Sequence, residues 1–203
     1  MTSVAVIDHG AGNLVSMMRA LETVGASPTL VRSGELAGFD RVVLPGVGAT
    51  GPAMRTLDQT GLSDELRNYR GLLLGVCVGM QVLFDYSTED DTQCLGLIEG
   101  DVQRINATPL PHIGWNSVEQ TNDAIFTGLG SSPLFYFVHS FAARPSDPRV
   151  VVGRTSYGED TFASAVESGP VAGLQFHPER SGTAGLRVLA NFIGNPGEVR
   201  DVA

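Results

Sequence analysis

The first half of the chain alternates short apolar runs with stretches of helical periodicity, and this alternation constrains the fold more than any other feature of the sequence. The runs at residues 4–7, 41–44 and 72–76 predict buried strands, because each is short and almost continuously apolar. Residues 13–24 and 52–69 carry apolar side chains at the spacing of a helix. Strand–helix–strand alternation predicts a parallel sheet with helices on both faces.

The second half of the chain follows a different pattern. Five segments predict strands joined by turns with no helix between them, namely residues 113–118, 135–141, 150–155, 161–167 and 171–176. Residues 184–193 then predict a closing amphipathic helix. The sequence therefore predicts an α/β fold with a mostly parallel central sheet and an antiparallel strand extension. We interpret residues 1–203 as one domain whose last residues, 195–203, form a frayed tail.

Composition narrows the functional classes. The chain has 203 residues, of which 42% are hydrophobic and 17% charged, so it can bury a core without a disulfide or a metal. Its formal net charge of −9 repels phosphate backbones, which argues against a nucleic-acid partner. All 13 basic residues are arginines, so the chain offers no lysine for a Schiff base, for pyridoxal phosphate or for a P-loop.

Cysteine usage and hydropathy indicate the compartment in which the chain is expected to work. Two cysteines, Cys77 and Cys94, are too few for a disulfide framework or a cysteine zinc site. The longest apolar run, residues 72–84, is too short to cross a bilayer, and residues 1–3 carry no basic signal-peptide region. We expect a cytoplasmic protein with no membrane partner, no metal and no organic cofactor.

The segment GVCVG at residues 75–79 has the pattern of a nucleophile elbow with cysteine in the place of serine. An apolar strand leads into it, and residues 79–84 predict the helix that leaves it. In such a turn the sulfur of Cys77 projects from the chain, and the N–H of Val78 at the helix start favours a nearby thiolate or oxyanion. A buried structural cysteine at a glycine-rich strand end is the alternative interpretation.

The tripeptide His177-Pro178-Glu179 closes the last predicted strand. Residues i and i+2 of an extended chain face the same way, and the proline keeps the chain extended at His177, so the imidazole and the carboxylate are predicted to lie side by side. Such a histidine can take a thiol proton, and the carboxylate can orient the ring. By itself the tripeptide is also compatible with a surface turn; downstream of the elbow it predicts a triad with Cys77.

Two glycine-rich segments follow predicted strands. Residues 46–48, Gly-Val-Gly, come after Pro45, which we expect to end its strand. Flanking glycines let a backbone N–H turn toward an anion, so this segment is a candidate oxyanion donor, with a plain strand-to-helix turn as the alternative. Residues 10–13, Gly-Ala-Gly-Asn, lack the third glycine of a dinucleotide fingerprint, so we interpret Asn13 as a helix N-cap.

Two aromatic-rich segments, residues 111–116 and 136–140, each contain a histidine. Neither spacing supports a metal site, so we expect core or supporting roles for these histidines. Trp115, the only tryptophan, is a candidate interface anchor. Cys94 has no partner motif, and we interpret it as incidental.

Taken together, these segments resemble those of the class I glutamine amidotransferases over nearly the whole chain. GVCVGMQ matches that family's nucleophile segment, and LQFHPERSG matches its His-x-Glu segment. Within the class, the sequence is similar to the glutaminase subunits of imidazole glycerol phosphate synthase. The segments that carry this narrower resemblance are IDHGAGN, LPGVGA, PHIGWN and YFVHSF.

The resemblance implies a role for each matching residue. Cys77 would attack the side-chain amide of glutamine and form a thioester, with His177 as base and then acid and Glu179 orienting it. The implied oxyanion donors are Val78, Val47 and Gly48. The implied glutamine-binding residues are Gly46, Gly48 and Gln81.

The resemblance also implies a partner. The released ammonia would pass to a barrel-shaped cyclase subunit in a heterodimer, giving imidazole glycerol phosphate and aminoimidazole carboxamide ribotide in histidine biosynthesis. Asn13, Trp115 and Arg180 would lie at the contact. The sequence departs from the family's pattern at two positions: Arg180 replaces a common lysine and keeps its charge with a different geometry, and Phe141 replaces a frequent tyrosine.

Three other functions remain open from the sequence. The first is the glutaminase of pyridoxal-phosphate synthase, which shares the elbow and triad but not the PGVG and PHIGWN segments. The second is a stand-alone cysteine hydrolase such as a γ-glutamyl peptidase, for which a glycine-flexed oxyanion segment is less natural. The third is a catalytically inactive binding subunit, against which the intact cysteine, histidine and glutamate argue.

Overall fold

The computed structural model describes residues 1–121 and 123–195. Of the tail predicted to fray, only Asn195 lies within these residues; its side chain donates to Val24 O (2.8 Å), and its backbone N–H donates to Ala190 O. The rest of that predicted tail lies outside the described residues. The assignment of residues 1–203 to one domain stays a prediction.

The first half of the chain alternates strands and helices, as the periodicity predicts. Its elements are β1 (Thr2–Ile7), α1 (Leu14–Thr23), β2 (Ala26–Val31), β3 (Arg41–Gly46), α2 (Thr50–Thr60), α3 (Leu62–Asn68), β4 (Leu72–Cys77) and α4 (Val78–Gln81).

The second half consists mainly of strands. They are β5 (Tyr86–Ser87), β6 (Thr92–Gln93), β7 (Gly100–Arg104), β8 (His112–Ser117), β9 (Glu119–Gln120), β10 (Leu134–His139), β11 (Phe141–Pro145), β12 (Val151–Tyr157), β13 (Asp160–Ser168) and β14 (Val171–Leu174). The closing helix is α5 (Gly182–Phe192), and 3-10 turns occupy Ala124–Phe126, Pro148–Val150 and Pro178–Arg180.

The central sheet combines a parallel and an antiparallel part, which confirms the predicted fold class. Its eight strands run in the order β2-β1-β3-β4-β14-β13-β12-β9. All pairs from β2 to β14 are parallel, and all pairs from β14 to β9 are antiparallel. A two-stranded sheet, β10-β8, and a four-stranded sheet, β11-β7-β5-β6, complete the antiparallel extension. The parallel order brings the carboxyl ends of β3, β4 and β14 together at one edge of the sheet.

The structure corrects three details of the helices and strands. The predicted helix at residues 52–69 is two helices, because Gly61 adopts a left-handed conformation (φ 75°) that ends α2. Pro45 does not end its strand: β3 continues to Gly46, in a stretch where β1 no longer pairs with it. The helix predicted at residues 79–84 is the shorter α4, since the carbonyls of Val82 and Leu83 accept from Leu95 and Leu97 across the chain.

An aromatic cluster holds the two-stranded sheet against the central one. Phe135 and Phe137 of β10 and Phe176, just beyond β14, are fully buried. The rings of Phe135 and Phe176 stack with centroids 3.9 Å apart. Burying one such ring contributes about 2 kcal/mol to folding. The cluster therefore fixes the backbone on which the neighbouring His177 sits.

Candidate active site

Cys77 lies at a strained turn between β4 and α4, with φ 56° and ψ −112°. A positive φ is uncommon for a residue with a side chain, and the flanking glycines explain how the turn is tolerated. A β-carbon on Gly75 would lie 2.5 Å from the carbonyl oxygen of Gly79, and one on Gly79 would overlap the carbonyl oxygen of Leu44. The turn therefore requires glycine at both positions and has the strand–turn–helix geometry of a nucleophile elbow.

His177 and Glu179 form a buried pair beyond the carboxyl end of β14. Nδ1 of His177 lies 3.0 Å from Oε1 of Glu179, and the two side chains are 3% and 2% exposed. The pair does not form along a continuing strand, as the sequence pattern suggested, because β14 ends at Leu174 and Pro178–Arg180 is a 3-10 turn. The backbone of His177 is fixed by hydrogen bonds to Tyr136 O (2.9 Å) and from Ser181 Oγ (2.6 Å).

Negative charges near His177 change the pKa of its imidazole more than its burial does. Burial alone would lower the pKa of its imidazole, but the Cys77 sulfur, as a thiolate and hydrogen-bond acceptor, and the Glu179 carboxylate raise that pKa to about 10. Since β14 and β4 are adjacent parallel strands whose register pairs Leu174 with Val76, Cys77 and His177 both lie just beyond the same edge of the sheet. The raised pKa of His177 therefore favours an imidazolium close to the nucleophile, and the thiolate is the reactive form of a cysteine.

A small cavity of about 110 Å³ opens beside the Cys77 sulfur. It is lined by Val47, Gly48, Cys77, Val78, Gln81, Glu89, Val138, His139, Ser140 and Phe141. Four of the residues predicted for the oxyanion site and for glutamine binding are therefore at the cavity. Gly46 lies directly behind it, since a β-carbon there would be 2.9 Å from Gly79 N and from Val78 Cβ.

The glycine segment after β3 reaches the cavity with Val47 and with Gly48, whose φ is 89°. Two contacts hold the segment at its ends. The ring of His9 donates from Nε2 to Pro45 O (2.8 Å), and Thr50 N donates to Glu89 Oε2 (3.1 Å). The segment between these anchors is thus tethered to the loop after β1 on one side and to the cavity wall on the other.

Glu89 is a site residue that the sequence pattern did not indicate. Its carboxylate lines the cavity, and burial raises its pKa, while the hydrogen bond from Thr50 N lowers it. It lies between β5 and β6 in an acidic loop, and only its place in the fold distinguishes it from its acidic neighbours. No sequence signal could have selected it.

Two buried histidines support the cavity wall, as the sequence suggested: His139 lines the cavity and His112 lies behind it. His139 Nδ1 lies 2.8 Å from Phe141 O, and His139 Nε2 lies 3.1 Å from His112 Nδ1. Asn116 Nδ2 lies 3.3 Å from His112 Nε2. A carbonyl only accepts, so every N–H in this series of hydrogen bonds points from Asn116 toward Phe141. Burial lowers the pKa of His112 to about 4 and that of His139 to about 3, which keeps both rings neutral.

The outer face of the β8–β10 pair is apolar and exposed. Trp115 is 56% exposed and meets Tyr136 edge to face, and Arg180 lies over the same Tyr136 ring at 4.4 Å. Ile113 and Leu134, 59% and 56% exposed, share this face with them through the strand register. Trp115 and Arg180, predicted as contact residues, therefore belong to one surface.

Asn13, the third predicted contact residue, lies at the start of α1, which packs beside the turn that contains Arg180. It occupies the N-cap position, and Met17 N donates to its carbonyl, but its side chain makes no capping hydrogen bond. The prediction that Asn13 is the N-cap residue of this helix is therefore confirmed, and the capping contact is made by its backbone carbonyl. Cys94, interpreted as incidental, is buried, and burial raises the pKa of its thiol to about 12.

Two kinds of feature are absent from the described part of the chain. Within residues 1–121 and 123–195, no three His, Cys, Asp or Glu side chains are grouped so that they could hold a metal ion. In the same residues, no helix is both long and apolar enough to cross a membrane.

The chain matches the family model described as glutamine amidotransferase class I over residues 5–195. It is 41% identical over 212 aligned positions to the imidazole glycerol phosphate synthase subunit HisH of Thiobacillus denitrificans, covering 96% of this chain and 92% of that protein. It is 42% identical to the subunit of the same name from a Synechococcus species, covering 93% and 92%.

Solved structures agree on the fold. The crystal structure of a glutamine amidotransferase is similar with a TM-score of 0.76 at 25% identity, covering 96% of this chain and 99% of that one. The family match and the two relatives cover nearly the whole chain, including the elbow and the His-x-Glu turn. The chain therefore belongs to the class I glutamine amidotransferases, in the family of imidazole glycerol phosphate synthase HisH subunits.

Proposed function

We propose that this chain hydrolyses glutamine to glutamate and ammonia and supplies the ammonia to a cyclase subunit of imidazole glycerol phosphate synthase. The observation that carries the proposal is Cys77 at its strained elbow beside the buried His177–Glu179 pair. The names of the HisH relatives support the same biosynthetic enzyme. The cyclase product pair is then imidazole glycerol phosphate and aminoimidazole carboxamide ribotide, in histidine biosynthesis.

The proposed chemistry follows from the three side chains of the triad. The Cys77 thiolate attacks the side-chain carbonyl carbon of glutamine, and the imidazolium of His177 gives its proton to the leaving nitrogen, so ammonia departs and a glutamyl thioester remains. His177 then takes a proton from water, which attacks the thioester. Glutamate leaves, and the sulfur returns to its starting state. Glu179 holds the ring of His177 at Nδ1 throughout.

The cavity wall supplies the remaining roles. The N–H groups of Val78 and of the Val47–Gly48 segment stabilise the tetrahedral oxyanion, each donor contributing about 100- to 1000-fold in rate. Gly46, Gly48 and Gln81 bind the glutamine substrate. The Glu89 carboxylate at the cavity suits the α-ammonium group of the amino acid.

We assign the partner surface to the exposed apolar face of the β8–β10 pair with its neighbours. Trp115 and Arg180, with Asn13 beside them, contact a barrel-shaped cyclase in a heterodimer. Aromatic and arginine side chains dominate binding energy at interfaces, and this face adjoins the turn that carries the catalytic histidine. Docking there can therefore influence the triad through that turn.

The test measures glutamine hydrolysis by the chain alone, with the cyclase subunit, and with the cyclase plus its ribotide ligand. A free chain lacking one oriented oxyanion donor turns over slowly, so we expect a rise of at least about 100-fold in kcat on full assembly. The Arg180→Glu variant reverses a charge on the proposed contact and weakens docking.

Each alternative gives a different result. Full turnover by the free chain would favour a stand-alone hydrolase. Activation by a pyridoxal-phosphate synthase subunit in place of the cyclase would favour that enzyme's glutaminase. Binding to the cyclase without hydrolysis under any condition would indicate an inactive binding subunit.

A further inference from the structure

We propose that Gln175 is a positioning residue for the nucleophile: its side-chain amide donates a hydrogen bond to the Cys77 sulfur and stabilises the thiolate. Gln175 is fully buried, and its Nε2 lies 3.8 Å from the sulfur. The catalytic value of this contact rests on the proposed glutaminase function, whereas the contact itself does not. The sequence contained one signal for it, since Gln175 is a polar residue inside an apolar strand end, between Leu174 and Phe176.

An amide side chain can present either its oxygen or its NH₂ group to a neighbour, and the hydrogen-bond network decides which. The carbonyl oxygen of Phe141 can only accept, so the end of Gln81 that lies 2.8 Å from it must be the NH₂ group. The same NH₂ group lies 3.1 Å from Gln175, so the end of Gln175 that faces it must be the oxygen. The other end of Gln175, which faces the sulfur, is therefore its NH₂ group.

The Phe141 carbonyl is itself fully committed. It accepts from Gln81 Nε2 and from His139 Nδ1, both at 2.8 Å, so both of its lone pairs are used. His139 is buried and held in this orientation by His112. The polarity of Gln175 thus follows from a backbone carbonyl that can neither rotate nor donate.

The sulfur has a separate partner for each of its protonation states. As a thiol, Cys77 donates to Val138 O at 3.9 Å, and as a thiolate it accepts from Gln175. The titratable groups around it are His177 with Glu179 behind it, the neutral His139 on β10, and Glu89 across the cavity. Gln175 adds a neutral donor to the positive charge that His177 brings near the sulfur, and the amide itself does not titrate.

The test is the pH profile of Cys77 alkylation by iodoacetamide in the full chain, with Cys94→Ala as the common background. Gln175→Met keeps the length of the side chain and removes the donor. Hydrogen bonds to charged groups contribute at least about tenfold in equilibrium, so we expect the alkylation midpoint to rise by about one pH unit. Gln81→Met removes the hydrogen bond that fixes the orientation of the Gln175 amide, and we expect a smaller rise of the alkylation midpoint.

Turnover gives the second readout. In the assembled enzyme we expect kcat of Gln175→Met to fall about tenfold at neutral pH with KM within twofold of the wild type, and the deficit to shrink as the pH rises. A structural defect would not recover with pH. The matched control is Ser164→Ala. The backbone carbonyl of Ser164, on the neighbouring strand, accepts from Gln175 N, and its side chain does not contact the sulfur through any hydrogen bond in the structure. We expect the alkylation profile of this variant to equal that of the wild type.

An alkylation midpoint in Gln175→Met equal to that of the wild type would overturn the proposal. Should that variant not fold, the side-chain amide NMR signals of Gln175 decide instead. We expect these signals to shift with pH at the Cys77 midpoint in the wild type and to stay constant in Cys77→Ala. Wild-type signals that do not change with the titration of Cys77 would also overturn the proposal. Alkylation needs no glutamine, so an absence of glutaminase activity would refute the proposed function and leave this test readable.

Discussion

The two ends of the central sheet each hold a pair of neighbouring titratable side chains. One pair combines a base with an acid, and the other consists of two acids. At the carboxyl ends of the strands, the imidazole of His177 lies beside the carboxylate of Glu179. At the amino ends of β4 and β14, Glu167 makes a side-chain hydrogen bond to Asp123 beside a cavity of about 180 Å³. Burial disfavours the charged form in both places.

The charge of the neighbouring groups decides whether the protonated or the deprotonated form of each side chain is favoured. Burial lowers the pKa of His177, but the negative charges of Cys77 and Glu179 overcome it and raise the value to about 10. Burial raises the pKa of Glu167, and the neighbouring Asp123 raises it further, to about 7. One end of the sheet therefore keeps the positive charge of His177, and the other end favours the protonated form of Glu167.

The largest contrast is expected from one conservative change made at both ends. Glu179→Gln removes the charge that orients His177, so we expect kcat for glutamine hydrolysis to fall about 100-fold or more. Glu167→Gln makes the same change far from the cavity that contains Cys77, and we expect kcat within twofold of the wild type. Steady-state assays of the assembled enzyme measure both. Equal losses in the two variants would mean that the two ends are coupled and that the contrast does not separate chemistry from stability.

A second prediction isolates the contribution of the sulfur. In Cys77→Ala the burial of His177 remains, but the thiolate that raises the pKa of its imidazole is gone. We expect that pKa to fall markedly below the wild-type value while Glu179 keeps it from reaching the level of His139. NMR titration of the histidine ring carbons measures it. An unchanged value would assign the whole rise to Glu179.

The nucleophile elbow could be predicted from the sequence because its requirements are local. Gly75 and Gly79 are needed for close backbone approach around Cys77, and the continuous apolar run before the elbow predicts the strand that leads into it. The His-x-Glu pair was predictable as residues but not as geometry. The 3-10 turn that brings Glu179 back to the ring depends on how Ser181 caps the His177 carbonyl.

The contacts that the supporting residues make with one another could not be predicted, because these residues converge from distant parts of the chain. Gln81 and Gln175 are 94 positions apart, and the Cys77 sulfur and Gln175 are 98 apart. Glu89 reaches the cavity from a short acidic loop, and Asp123 meets Glu167 across a strand end. Nothing in the local pattern of either acidic segment distinguishes the residue that becomes buried from its exposed neighbours.

A third prediction concerns the histidines behind the active-site wall. Burial lowers the pKa of His112 to about 4 and of His139 to about 3, below the ordinary value of 6.5. The unfolded chain binds these protons first, so stability is complete above pH 6.5 and falls as the pH drops toward 4, by at most about 1.4 kcal/mol per pH unit for each proton.

The matched variant for that prediction is His112→Phe, which keeps a ring to stack on Tyr157 and Phe137 and removes one titrating group. We expect its unfolding free energy to fall less steeply between pH 6.5 and pH 4, as measured by urea denaturation at several pH values. A slope equal to that of the wild type would mean that other groups cause the acid loss.

The smallest effect, and one of opposite sign, is expected at the amino end of the sheet. Because the pKa of Glu167 is about 7 in the folded chain and 4.5 when unperturbed, the folded chain binds this proton more tightly. Its contribution to stability is complete below pH 4.5 and is lost as the pH rises through 7.

Glu167→Gln keeps a donor toward Asp123 and removes the charge, so it mimics the protonated acid. Glu167 is only half-buried, so solvent screens the effect, and we expect Tm to rise by about 2 °C at pH 8 and to stay unchanged at pH 4. Thermal unfolding followed by circular dichroism at the two pH values measures the difference. A gain at pH 4 as large as that at pH 8 would show that the amide packs better for reasons unrelated to charge, and the protonation of Glu167 would then not distinguish this end of the sheet from the other.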